Sequence, residues 1–322
     1  MTEQRDAWWT GLPPATGAAV MATGTLSVGL RLTGFAALSS VALGLATALW
    51  LLLAGSFTAQ LLRHRDHWKS QTRTPPALTA VAATTVLGVR YAALGATPLA
   101  AALLLVAALL WPGLLGSVLR HLTRRAPGSA FLICVATQGL VVLAAVLTPA
   151  VGNWLARPAL VAFVLGLVLY AGALARFDLR QIVTGAGDHW VAGGALSIST
   201  LAASQLVATR VWSDGTAAAL RTADSVLLTL ALAWYAVLLC AEAVRPRPAY
   251  DVRRWSTVFP LAMTAMATLT APATATRPWL NVLGHVLLWV AAAAWLPAAY
   301  GLIRTLGTGC PTGRQRPSRS AG

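Results

Sequence analysis

Charge is scarce in this sequence. Charged residues make up 10% of its 322 positions, and nine of them are acidic. Lysine occurs once, at Lys69 in a polar segment, so no lysine is available inside an apolar run to hold a Schiff-base chromophore. Histidine is equally sparse. His64, His67, His121 and His189 lie in or beside polar loops, and only His285 falls deep in an apolar stretch. Paired haem ligation therefore lacks its second ligand, and His285 reads as a packed side chain. His64, Asp66 and His67 form an incomplete zinc set in a basic loop, where solvated residues are expected. Cys134, Cys240 and Cys310 have neither metal nor redox spacing, and they imply no disulfide framework. A nucleophile with a neighbouring base, as an intramembrane hydrolase needs, is also missing. The expectation is a chain with no cofactor, no metal and no enzymatic activity.

What fills the sequence instead is apolar length. A hydrocarbon core of about 30 Å takes roughly 20 apolar helical residues, and backbone can cross it only as helix or closed barrel. Such runs are expected near 12–30, 34–62, 77–95, 97–119, 129–149, 157–176, 190–209, 222–243, 255–274 and 279–303, ten in all. The fold class is thus an all-α polytopic membrane protein of ten transmembrane helices. A single membrane domain spans 1–306, followed by a disordered basic tail at 307–322. Glu3, Arg5 and Asp6 before a long run containing Pro13 and Pro14 argue against a cleaved signal peptide.

Positive charge gathers in alternate loops. Arg63, Arg65, Lys69 and Arg73 follow the second run, Arg120, Arg124 and Arg125 the fourth, and Arg245, Arg247, Arg253 and Arg254 the eighth. The other loops hold mainly single arginines. By the positive-inside rule both termini face the cytoplasm, and the expected setting is a bacterial inner membrane crossed many times. The net charge of +15 reads as topology and not as a nucleic-acid surface. Two of the charged residues inside expected spans bear on function. Glu242, beside Arg245, reads as a helix-end ion pair with no buried carboxylate relay, and Arg90, near an outer end, reads as snorkelling to the interface.

The odd-numbered runs carry small residues, hydroxyls and helix breakers, whereas several even-numbered ones are Leu, Val and Ala. That contrast predicts an inner and an outer layer built from five helical hairpins. Ala22-Thr23, Ala83-Thr84, Ala136-Thr137 and Ala267-Thr268 repeat one dipeptide, and Ser197-Ile198-Ser199-Thr200 stands in the remaining hairpin. A hydroxyl recurring about every 55 to 70 residues points to one shared environment, a central pore. The expected pore-lining residues are Thr23, Gly24, Thr84, Thr137, Gln138, Ser197, Thr264 and Thr268.

Leu12–Thr25 and Trp255–Thr268, with Ala83–Gly88, Val135–Gln138 and Asp188–Gly194 in support, resemble the tellurite-resistance/dicarboxylate transporter family. That family includes TehA-like permeases, malate and sulfite transporters and plant slow anion channels. The resemblance implies quasi-five-fold symmetry around the pore and a homotrimer. It also implies an aromatic gate from the ninth span, here Phe259 before Pro260. Its implied activity is movement of small inorganic or organic anions across the lipid bilayer through a gated channel. The alternative is a proton-linked or facilitated carrier of C4-dicarboxylates, sulfite or tellurite-like oxyanions.

Overall fold

A computed structural model describes residues 14–123, 125–185, 187–246, 251–271 and 276–307. Pro13 and the expected tail beyond Gly307 lie outside the described residues. Among the described residues the fold is all helix and connections, and the nearest thing to sheet is one isolated bridge between Ala126 and Phe177. Ten helices among the described residues have 14 or more residues: α1 (Gly17–Leu32), α2 (Ala36–Arg63), α4 (Thr79–Ala92), α5 (Thr97–His121), α6 (Leu132–Val151), α7 (Ala156–Leu174), α9 (Val191–Ala208), α10 (Asp214–Val244), α11 (Trp255–Thr270) and α12 (Pro278–Gly307). Two short helices, α3 (Arg65–Thr72) and α8 (Gln181–Thr184), lie in connections.

Consecutive long helices form five hairpins, α1/α2, α4/α5, α6/α7, α9/α10 and α11/α12. Across hairpins, α1 packs on α4, α4 on α6, α6 on α9, α9 on α11 and α11 back on α1, so five helices close a ring. Each is entered through a single 3-10 turn: Pro14–Thr16, Pro75–Leu78, Gly128–Phe131, Asp188–Trp190 and Val252–Arg254. The last of these is capped by Asp251, whose carboxylate accepts from the Arg253 backbone N–H at 2.8 Å. A further hydrogen bond from the Arg253 guanidinium holds that carboxyl below its ordinary range, so the cap stays ionised near neutral pH.

The two layers differ in what they hide. Nearly every residue of α1, α6, α9 and α11 is buried, whereas α2, α5, α7, α10 and α12 display rows of exposed Leu and Val, among them Leu38, Val41, Leu45, Leu105, Leu109, Val161, Val164 and Val168. So much apolar surface facing outward fits a bilayer and not water. Seven helical stretches among the described residues are long and apolar enough to cross a membrane: Ala36–Arg63, Thr97–His121, Gly128–Val151, Asn153–Leu174, Asp188–Ala208, Asp214–Val244 and Pro278–Arg304. Inner helices α1, α4 and α11 are shorter, with 16, 14 and 16 residues, or roughly 21 to 24 Å at 1.5 Å per residue.

Several expectations change at the level of side chains. The helix α10 begins at Asp214, eight residues before the expected 222, and this carries Asp224 ten residues, about 15 Å, into the helix. Asp224 is completely buried, so Glu242 is not the sole intramembrane carboxylate. Glu242 itself pairs with Arg254 across α10 and the turn entering α11, at 2.9 Å. His285 is half-exposed on the outer helix α12, its Nδ1 within hydrogen-bond distance of the Asn281 carbonyl. Arg90 does not snorkel: only 1% of it is exposed.

Candidate permeation pathway

The five inner helices surround a cavity to which every one of them contributes. Its walls are Thr25 and Val28 of α1, Thr85, Val86 and Val89 of α4, Gly139 and Val142 of α6, Ile198 and Leu201 of α9, and Met263 and Met266 of α11. The space open to the centre of a water-sized sphere is about 20 Å3, enough for roughly one water. Apolar side chains dominate the wall. Its polar exceptions are Thr25, whose hydroxyl has no hydrogen-bond partner, and Thr85, whose hydroxyl donates to the Ala82 carbonyl at 2.9 Å.

Phe259 and Pro260 lie one helical turn from this cavity towards the basic end. Phe259, Met263 and Met266 stand at i, i+4 and i+7 on α11 and so share the face that looks inward. On the neighbouring helix, Gly194 is four residues before the wall residue Ile198. A methyl group at Gly194 would fall 2.9 Å from Pro260 Cγ and 3.2 Å from Phe259 Cε1, so only glycine leaves room for the phenyl ring and the proline here. Pro260 removes one backbone donor inside α11, and its own carbonyl accepts from the Thr264 hydroxyl at 2.8 Å. Phe259 is 1% exposed.

None of the eight residues expected to line the pore forms the cavity wall. Three of the repeated threonines turn their hydroxyls the other way. Trp50 Nε1 on α2 donates to Thr84 Oγ1 at 2.9 Å, Trp111 Nε1 on α5 to Thr137 Oγ1 at 3.0 Å, and Trp295 Nε1 on α12 to Thr23 Oγ1 at 2.9 Å. In each case an outer helix of one hairpin fastens the inner helix of the next, and Trp295 fastens the last hairpin to the first. Thr84 and Thr137 also donate to the carbonyls one turn back, Ala80 and Ile133, each at 2.7 Å. The physical reason is the indole N–H, which inside a bilayer must find an acceptor within the protein. A threonine that returns its own proton to the helix backbone leaves its oxygen free to be that acceptor.

The remaining expected residues also bond to protein. Gln138 Nε2 donates to the Phe163 carbonyl on α7 at 3.1 Å, so it too faces outward. Ser197 and Thr264 join α9 to α11 through their hydroxyls at 2.8 Å, and Thr268 donates to the Thr264 carbonyl at 2.8 Å. A methyl group at Gly24 would meet Val86 at 2.7 Å, placing Gly24 between α1 and α4. Sequence reasoning did not pick out the cavity wall, which on α1, α4 and α6 begins one or two positions beyond the repeated hydroxyls, at Thr25, Thr85 and Gly139, and on α11 includes Met266, two positions before Thr268. It also missed Asp224, whose Oδ1 accepts from Ser204 Oγ of α9 at 2.5 Å while Oδ2 has no partner.

The tryptophan joints carry a stability prediction. Replacing Thr84 with valine keeps the shape but strands the Trp50 N–H, at a cost of about 1 kcal/mol. Comparing Thr84→Val, Trp50→Phe and the double variant by denaturant unfolding in detergent should give a coupling of roughly 0.6 to 1.5 kcal/mol. Additive effects would show that the bond contributes nothing.

The sequence profile of the voltage-dependent anion channel family matches residues 11–303, nearly the whole chain. The protein belongs to that family. It is the family of the slow anion channels and TehA-like permeases, to which the five motif segments already pointed. No match was found among functionally curated proteins. The match covers all five hairpins, so the closed ring and its axial cavity are the body of this voltage-dependent anion channel relative and not an addition to it. Family membership and the apolar outer layer together make the chain a multi-pass membrane protein of an anion-transporting family, whose members are channels and transporters and not enzymes. Among the described residues no group of three His, Cys, Asp or Glu is placed to hold a metal.

Proposed function

We propose that this protein crosses the membrane ten times in a quasi-five-fold bundle with its basic turns in the cytoplasm, and conducts small anions along the axis. The observation that carries this reading is the cavity walled by all five inner helices. An apolar constriction with room for about one water holds back ions by dewetting, and such a constriction opens when a side chain moves aside. Phe259 is the proposed gate. Its flat ring lies on the inward face of α11 against Gly194, and its negative π-face opposes an approaching anion. Conduction would be driven by gradient and membrane potential, the latter worth about 2.3 kcal/mol per charge per 100 mV.

One observation favours a second reading, a proton-linked carrier. Asp224 is a buried carboxyl with one unpartnered oxygen, and a group of this kind inside a membrane can carry a proton. It lies between α9 and α10, away from the cavity wall, which is why channel conduction is the preferred reading. Reconstituted protein separates the two. Under an imposed potential we expect chloride flux that rises without saturation and stays within about twofold in Asp224→Asn. Saturable uptake that follows a proton gradient and collapses in Asp224→Asn would establish the carrier and remove the channel.

A further inference from the structure

Arg90 is the one cation that the fold takes fully out of solvent among the described residues. It sits two residues before the end of α4, at the end of the bundle opposite the basic turns, in the wedge between α1, α2 and α4. Its neighbour Val89 is part of the cavity wall. Inside the wedge, Ser27 of α1 donates its hydroxyl proton to the Ser39 carbonyl of α2, and Ser39 donates to the Ser27 carbonyl, both at 2.7 Å. With both protons used, the two serine oxygens are left as acceptors. Arg90 Nε donates to Ser27 Oγ and Ser39 Oγ at 3.2 Å each, and Nη2 donates to Ser39 Oγ at 3.0 Å.

These bonds occupy one edge of the guanidinium and leave the other bare. Nη1 is buried and has no hydrogen-bond partner. No carboxylate forms an ion pair with Arg90 among the described residues. Arginine cannot shed its proton to escape this situation, because its intrinsic basicity is too high. A buried unpaired charge costs several kcal/mol, and two neutral serines do not supply the missing negative charge. The partner that satisfies both the charge and the free Nη1/Nη2 edge is a diffusible anion, for which the guanidinium fork is well shaped.

We propose that Arg90, positioned by Ser27 and Ser39, binds a small monovalent inorganic anion of chloride or nitrate size beside the outer half of the axial pathway. This deepens the reading of anion conduction and rests on it for the site's purpose, but binding can be measured without flux. The serines orient the arginine, and the guanidinium holds the ion. A fixed positive charge one residue from the cavity wall also raises the local anion concentration there, because a low-dielectric surround screens it weakly.

The test is anion-dependent thermal stability of the purified protein in detergent, with sodium bromide or nitrate replacing sodium gluconate at constant ionic strength. Wild type should show a saturable rise in Tm, as expected for a ligand bound only by the folded state. Arg90→Gln should weaken the apparent affinity at least tenfold, and Ser39→Ala, which keeps the charge but removes two of its hydrogen bonds, should weaken it less. If Arg90→Gln does not fold, bromide located by anomalous scattering in wild-type crystals decides the matter: a peak at Nη1 supports the site, and an ordered Arg90 without one overturns it. No anion dependence in wild type, or equal dependence in Arg90→Gln, likewise overturns it. Saturable binding at Arg90 together with absent anion flux would leave the site standing and remove the conduction reading instead.

Discussion

Phe259→Ala is expected to raise anion flux by roughly tenfold or more, the equivalent of lowering the barrier by about 1.4 kcal/mol or more. The expectation follows from geometry. Phe259 shares the inward face of α11 with Met263 and Met266, and its ring lies against a glycine on α9 that leaves no side chain to replace it. Truncation to alanine therefore opens space along the axis that neighbouring side chains do not fill. The same change removes a fully buried ring, so a loss of stability of about 3 kcal/mol accompanies it. Phe259→Leu provides the control, since it retains apolar volume without the flat face. Its flux should fall between wild type and alanine. Equal flux in all three, with each protein monodisperse and helical, would return Phe259 to ordinary packing beside a proline.

Much of the architecture was legible in the sequence, because alternating polar and apolar hairpins leave a strong trace. Small residues and hydroxyls marked the inner helices, while runs such as Ala101–Leu110 marked the outer ones. The repeated Ala-Thr pairs were real repeats as well, but their meaning lay on the other side of the helix. Successive residues turn by about 100°, so Thr23 and Thr25 point roughly 200° apart. A threonine that accepts from Trp295 on the outside therefore leaves Thr25, two positions on, to face the axis. The same shift separates Thr137 from Gly139.

A signal for the joints was present in the chain. Trp50, Trp111, Tyr170, Trp234 and Trp295 recur at about 60-residue intervals in the outer helices, a period matching the hairpin repeat. Where the pattern lapses, the bonding changes. Trp234 rests against Gly193 of its own hairpin and has no partner for its N–H, and the Ser197–Thr264 bond ties α9 to α11. Arg90 and Asp224 were harder to read, because their burial depends on where helices begin and what packs over them. A helix start eight residues earlier than hydropathy indicated moved Asp224 from a margin to the interior. Arg90, close to a helix end, had the local sequence of an interfacial residue, and only its packing between Ser27 and Ser39 reveals otherwise.

The central claim is that anions travel between the five inner helices, past the cavity and not through the interfaces behind it. Thr25 and Thr23 lie on one helix and are both buried, yet Thr25 lines the cavity with its hydroxyl unpartnered while Thr23 Oγ1 is held by Trp295. The most direct measurement places Thr25→Cys and Thr23→Cys separately into Phe259→Ala protein whose native cysteines are replaced by alanine, then follows chloride flux while a negatively charged thiosulfonate reagent is added. An adduct at position 25 puts bulk and negative charge into a cavity sized for about one water, so flux should fall at least roughly tenfold. The Thr23→Cys protein should be left within about twofold. Block at position 23 with none at 25, or equal block at both, would contradict a route along the axis and send the pathway elsewhere in the bundle.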